Sequence, residues 1–283
     1  MFNVRNGEIY MIKLKTFGSF TVGNGLTSVQ EGAWRSEKLE KLFVYLAMNR
    51  NRGVCIEDIS EAIWQVEEET DNPVGALKNL AYRLRKALRD ASFGEECIVS
   101  VRGGLYKWND DVEVTIDVEE FDRYINEAEM AFCRSKETAI ESYEKAIALY
   151  HGDFLPLRTD THWFMTLNAF YHSRYVNTVK ALAKLYIDTG CYEKLEQLCT
   201  RAIVYERSDE QIYSYLIVAR MRTKKVQMAF DTYETAKAIM DKDLGVRKTV
   251  MLNKVYEELL SVTKGASSYN IDEVKDDISE ESM

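Results

Sequence analysis

The sequence predicts a mostly helical chain of two domains, a small α+β domain followed by an all-helical repeat domain. Three observations predict it. The first 110 residues read as strands, three helices and a hairpin. Further on, small and aromatic positions recur every 34 residues, and charge is divided unevenly between the two parts. The 283 residues suffice for two domains of ordinary size, and 46% of them are apolar. Only Pro73 and Pro156 interrupt the chain with proline, which leaves long stretches free to be helical.

Residues 1–10 are read as an N-terminal extension, because Met11 opens the first strand-like run. From there to residue 29 apolar and polar residues alternate, with Gly18 and the cluster Gly23-Asn24-Gly25 as turn signals, so short antiparallel strands are expected. Ser36 is a suitable N-cap for a helix reaching about Arg50, with Leu39, Leu42, Phe43, Leu46 and Ala47 on one face. A second helix is expected over Ile56 to Trp64, with Ile56, Ile59 and Ile63 on one side. Asn72-Pro73 supplies a cap followed by the residue best suited to the first helical position, and the third helix runs to Arg89. The stretch Ile98 to Trp108 reads as two β-rich runs around Gly103-Gly104, a hairpin with a two-residue turn. Strands, three helices and a hairpin form the winged-helix order, assigned to residues 11–110.

From about Asp117 the pattern becomes almost continuous helix. Ala229, Tyr233 and Ala236 repeat Leu195, Cys199 and Ala202 at a distance of 34, and Thr223-Lys224 repeats Thr189-Gly190. This is the tetratricopeptide period, in which stacked helix pairs share a core. Ala139, Tyr143 and Ala146 form a third copy, and the longer spacing before Leu195 accommodates an elongated helix from about Asp160 to Thr189. That helix carries Phe164, Leu167, Tyr171, Val179 and Leu182. The repeat domain is assigned to residues 117–263. Residues 264–283, with two Lys against six acidic residues and little apolar content, are read as a disordered acidic tail.

The net charge of −9 looks hostile to nucleic acid until it is divided. Residues 1–110 hold 15 basic and 15 acidic side chains, and residues 111–283 hold 22 and 31. Within the balanced part, residues 72–89 carry five basic side chains and no acidic one. On a helical wheel of about 100° per residue, Leu77, Leu80, Ala81, Leu84, Ala87 and Leu88 share a core sector. Gly75, Lys78, Asn79, Tyr82, Arg83, Lys86 and Arg89 share the opposite side. A merely solvated face usually mixes signs, because alternating charges support each other at i,i+4. A one-sign face interleaved with Asn and Tyr suits a helix in a major groove. There Arg and Lys meet phosphates or guanine, and Asn pairs with adenine edges. The candidate DNA-contacting residues are therefore Lys78, Asn79, Tyr82, Arg83, Lys86 and Arg89. Arg102 and Lys107 join them on the hairpin, and Lys38 in the first helix as a phosphate contact.

Other chemistry is not indicated. The five cysteines are scattered without a Cys-x-x-Cys pair, which reads as free thiols in a reducing, cytoplasmic setting. The three histidines lack metal-ligand spacing. No phosphate-cradling glycine loop or nucleophile motif occurs, so no enzymatic activity, cofactor or metal is expected. No apolar run approaches the ~18–20 residues of a membrane span, and the first ten residues lack a secretion signal pattern.

Residues 12–108 resemble the OmpR/PhoB-type winged helix. The resemblance lies in Ala76-Leu77, in Tyr82-Arg83-Leu84-Arg85-Lys86-Ala87-Leu88, in Val101-Arg102-Gly103-Gly104-Leu105-Tyr106, and in Ile59 through the Trp64 that closes helix two. Residues 117–260 resemble the bacterial transcriptional activator domain at Leu149 through Pro156, at Ala229-Phe230 with Tyr233, and at Leu244-Gly245. The combination is similar to the SARP (antibiotic regulatory protein) family of activators. That resemblance implies double-stranded DNA as partner, a homodimer on repeated sites and contact with RNA polymerase. The helical domain would mediate assembly or regulation by a protein or small-molecule effector. Departures are visible. Asn79-Leu80-Ala81-Tyr82 stands where the family usually has Val-His-Val-Ser, so base preference does not transfer. Arg247-Lys248 replaces a Pro-Ser pair, and Lys224 replaces the small residue of the repeat turn. A competing reading is a repeat-based protein adaptor whose winged helix binds protein, favoured by the acidic balance and aromatic content of the second part.

Overall fold

The computed structural model describes residues 4–5, 8–9, 11–65, 72–93, 97–101, 104–158, 160–244 and 249–263. The chain forms two compact units. The first comprises residues 1–124 and 148–173, the second residues 125–147 and 174–283.

The first unit opens with two short paired strands, β1 (Val4–Arg5) and β2 (Glu8–Ile9). β3 (Ile12–Lys15), β4 (Thr21–Gly23) and β5 (Ser28–Gln30) follow as an antiparallel meander. Their alternation is real, since Ile12, Leu14, Val22 and Val29 point to the core while Lys13 and Lys15 do not. Three helices follow: α1 (Glu37–Met48), α2 (Ile56–Ile63) and α3 (Pro73–Asp90). The hairpin is β6 (Ile98–Val101) and β7 (Leu105–Trp108). Its far edge is tied to the helices by a bridge between Val54 and Tyr106.

Several expectations are corrected in detail. Val101 pairs with Leu105, so three residues, not two, connect the hairpin strands, with Gly104 at φ +80°. A three-residue connection places its glycine in the left-handed region. Ser36 flanks α1 but makes no side-chain cap bond. α1 is buried well beyond the expected stripe, since Glu40, Lys41, Val44 and Tyr45 are buried as well. Ala87 is half-buried rather than core. A fourth strand of the main sheet, β8 (Val114–Ile116), was not expected. It lies parallel to β3, giving the order β5-β4-β3-β8.

β8 leads into α4 (Asp117–Ala131), whose first residue anchors the sheet. The buried Asp117 carboxylate accepts from Thr16 N at 2.8 Å, Thr16 Oγ1 at 2.6 Å and Phe17 N at 3.0 Å. Residues 148–173 complete this unit. Leu155 N donates to Thr16 O and Gly18 N to Asp153 O, each at 2.9 Å. Gly18 is therefore more than a turn signal. Its φ is +79°, and a Cβ there would come within 2.5 Å of His151 O. Phe17 packs edge-on against Phe121 and Tyr171. Arg158, almost fully buried, is paired with the equally buried Glu40, with Glu31 at 3.3 Å and Glu37 at 3.6 Å. Lys41 pairs with Asp160, which also accepts from Gln65 at 2.9 Å.

In the second unit, α5 (Lys136–Leu149) buries Ala139, Tyr143 and Ala146. α6 (His162–Thr189) is the expected elongated helix and runs from the first unit into the second. α7 (Tyr192–Tyr205), α8 (Glu210–Arg222), α9 (Val226–Ile239) and α10 (Val250–Thr263) form the stacked array, with a π turn at Met240–Leu244 after α9. α8 packs against α7, α9 and α10 and is buried from Ile212 to Ala219. All six positions of the 34-residue recurrence in α7 and α9 are buried. The turns repeat too. Gly190 (φ +71°) and Lys224 (φ +62°) are both left-handed. Each turn is closed by a 2.8 Å bond, from Cys191 N to Tyr186 O and from Lys225 N to Arg220 O. No helix among the described residues is long and apolar enough to cross a membrane.

Candidate nucleic-acid interface

The interface is built on α3, whose sequence separates a core face from a solvent face. Leu77, Leu80, Ala81, Leu84 and Leu88 are buried. Lys78, Asn79, Tyr82, Arg83, Lys86 and Arg89 are exposed, Tyr82 by 64%. Thus the structure brings together six of the nine predicted residues on one helix face, with no acidic residue among them.

Both ends of α3 are fixed. Asn72 caps the start, its Oδ1 accepting from Gly75 N at 2.8 Å. A Cβ on residue 75 would approach Asn72 Nδ2 to 2.7 Å, so a side chain there would have to displace the capping amide. At the other end Phe93 N donates to Leu88 O at 2.9 Å, and Ser92 adopts φ +64°. The turn between β4 and β5 holds that end: Asn24 Nδ2 donates to Ser92 O at 3.2 Å, and Thr27 Oγ1 to Ala91 O at 3.0 Å. Asn24 and Thr27 thus help position the helix. They escaped the sequence reading because the bonds span 68 and 64 residues, although Asn24 was visible as part of a turn cluster.

The remaining candidates are placed differently. Lys38 is half-buried, with its ammonium 5.9 Å from the Trp64 ring centroid. Lys107 is half-buried and paired with Asp110. Arg102, beside the hairpin tip, lies outside the described residues, as do Gly103, the 245–248 stretch and the 264–283 tail. None of the five cysteines forms a disulfide, and Cys97 and Cys199 are buried. Burial pushes the Cys199 thiol far up, which leaves it unreactive. No cluster of metal-ligating side chains occurs among the described residues.

The first unit presents a one-sign helix face and the second a stacked helical array, and the family comparison places the chain in the class of bacterial transcription regulators. Residues 116–260, just over half of the chain, match the family model of the bacterial transcriptional activator domain, and the chain belongs to that family. Its two-part organisation is similar to that of SARP-type regulators. It is 23% identical over 238 residues to the transcriptional regulator RedD of Streptomyces coelicolor, spanning 83% of this chain and 67% of that one. Its fold is similar to that of Mycobacterium tuberculosis EmbR, solved in complex with a low affinity phosphopeptide. The TM-score is 0.69 at 18% identity, over 95% of this chain and 69% of that one. The Arabidopsis OM64 TPR domain aligns at a TM-score of 0.36 and 14% identity, over 51% of this chain and 98% of that one. The family is one of transcription regulators rather than enzymes.

Proposed function

We propose that this regulator is a cytoplasmic, sequence-specific DNA-binding protein that lays α3 in the major groove. The observation that carries the reading is the exposed row Lys78, Asn79, Tyr82, Arg83, Lys86 and Arg89 on a helix capped at one end and hydrogen-bonded to the sheet at the other. A fixed helix costs little further ordering on binding, so its charges act on phosphates without first being organised. Lys78, Asn79, Tyr82 and Arg83 read base edges, while Lys86 and Arg89 meet phosphates. The Arg102 hairpin tip supplies a second contact. Lys38 and Lys107 contribute less, since each is half-buried. The bound regulator, a homodimer on repeated sites, activates transcription by contact with RNA polymerase, and the helical unit assembles it or receives an effector.

The test is binding of the full chain to DNA upstream of its own and neighbouring genes across a salt series. The slope of log affinity against log salt is about −0.9 per phosphate neutralised. A steep slope that falls by about one unit in Lys86→Ala or Arg89→Ala supports the reading. Unchanged affinity in Arg83→Ala and Lys86→Ala would remove α3 from the interface. Absence of binding at low salt, with a stable protein complex in its place, would identify an adaptor.

A further inference from the structure

One exposed side chain of α3 is accounted for neither by the core nor by the basic face. Val74, in the first turn, is 42% exposed, whereas Leu77, Leu80, Ala81, Leu84 and Leu88 are exposed by no more than 5%. A β-branched residue does not favour a helix, so local propensity does not explain its presence. Its neighbour Gly75 has no side chain, and a Cβ there would press on the capping Asn72 amide at 2.7 Å. The first turn of α3 therefore presents a short apolar group beside bare backbone. The long basic side chains begin only at Lys78 and continue at Arg83, Lys86 and Arg89.

This gradient along the helix matters for recognition. In helix-turn-helix domains the first residues of the recognition helix meet the base edges. A low first turn can approach the groove floor closely, and the longer basic residues can reach outward to the phosphates. On the major-groove edges of the bases, the apolar feature is the C5-methyl group of thymine.

We propose that Val74 is a specificity-determining residue whose isopropyl group contacts a thymine C5-methyl in the operator. The inference rests on the DNA-binding reading above and adds to it a defined base. Because the contact is apolar, it adds selectivity without adding to the salt slope.

The experiment first selects the operator of the full chain from random duplex DNA. Each thymine of that site is then replaced singly by deoxyuracil, which removes the methyl group alone. Binding is measured for the wild type, for Val74→Ala, and for the near-isosteric Val74→Thr, with thermal melts to confirm that the variants are folded. In the wild type, one thymine in each half-site is expected to lose about three- to five-fold in affinity on replacement, the scale of one methyl group transferred from water. That penalty is expected to vanish in Val74→Ala and to shrink in Val74→Thr. Penalties that are equal in wild type and Val74→Ala at every thymine, or absent throughout, would overturn the inference while leaving DNA binding intact. No enriched site and no binding at low salt would overturn both.

Discussion

Replacing Arg158 by Met tests how the first unit is held together. Its side chain is 5% exposed and that of its partner Glu40 is 2% exposed, so neither charge has appreciable access to water. Glu40 also accepts from Gly32 N at 2.8 Å. Removing the guanidinium strands the Glu40 carboxylate, because the substitution takes away its positive partner and leaves the burial unchanged. Breaking a buried pair from one side costs about 3–5 kcal/mol, whereas replacing both members by apolar side chains is often close to neutral. Arg158→Met is therefore expected to cost about 3–5 kcal/mol. The pair Arg158→Met with Glu40→Met is expected to cost less than Arg158→Met alone, because it leaves no buried charge without a partner, and the exposed Gly32 N–H can turn to water. Denaturant unfolding followed by tryptophan fluorescence reads this cleanly, since Trp34, Trp64, Trp108 and Trp163 all lie in the first unit. Additive costs in the double variant, or a single-variant cost below about 1 kcal/mol, would refute the reasoning.

Three further outcomes are expected. Asn72→Ala removes the cap of α3 and should cost about 1 kcal/mol by the same fluorescence measurement, with weaker DNA binding than the lost stability alone explains. Lys224→Gly should stabilise the second unit by about 1 kcal/mol in far-UV circular dichroism melts, because the lysine occupies a left-handed conformation that glycine adopts freely. Asp153→Asn has a pH signature. The hydrogen bond with His172 holds the Asp153 carboxyl below its ordinary value of 3.8, against burial and with help from the Tyr150 hydroxyl. A depressed folded-state pKa contributes stability above 3.8 that is lost as pH falls through the folded value. The variant should therefore unfold earlier than wild type at neutral pH, by less than about 1 kcal/mol given its exposure. The gap should close on acidification, and a gap constant with pH would count against the bond.

Much of this architecture was legible because its signals are local. The Asn72-Pro73 start, the leucine face of α3 and the 34-residue recurrence each declare themselves within a turn or a repeat of the chain. What was not legible depends on partners far away in sequence. Glu40 and Lys41 lie off the apolar stripe expected for α1, but Arg158 and Asp160 arrive from 118 and 119 residues further on and pair with them. β8 is three residues long with charged neighbours, and its strand identity comes from parallel pairing to β3 about a hundred residues earlier. In the candidate interface the basic row was readable from its one-sign face. Asn24 and Thr27 were not, since nothing local links a hairpin turn to the end of a helix. Val74 does not stand out in the sequence, because its apolar character resembles the core positions that follow it.

The return of residues 148–173 to the first unit has a consequence for recombination within the family. The family match spans residues 116–260, which invites exchange of the helical part at its first residue. A chimera joined there would draw Glu40 and Lys41 from one parent and Arg158 and Asp160 from the other. It would also set an unrelated segment against Gly18, where there is no room for a side chain. Functional hybrids are therefore expected to need both stretches from one parent, with the crossover placed beyond residue 173 rather than at residue 116. For inheritance, the unit of exchange is a discontinuous set of residues rather than a length of chain.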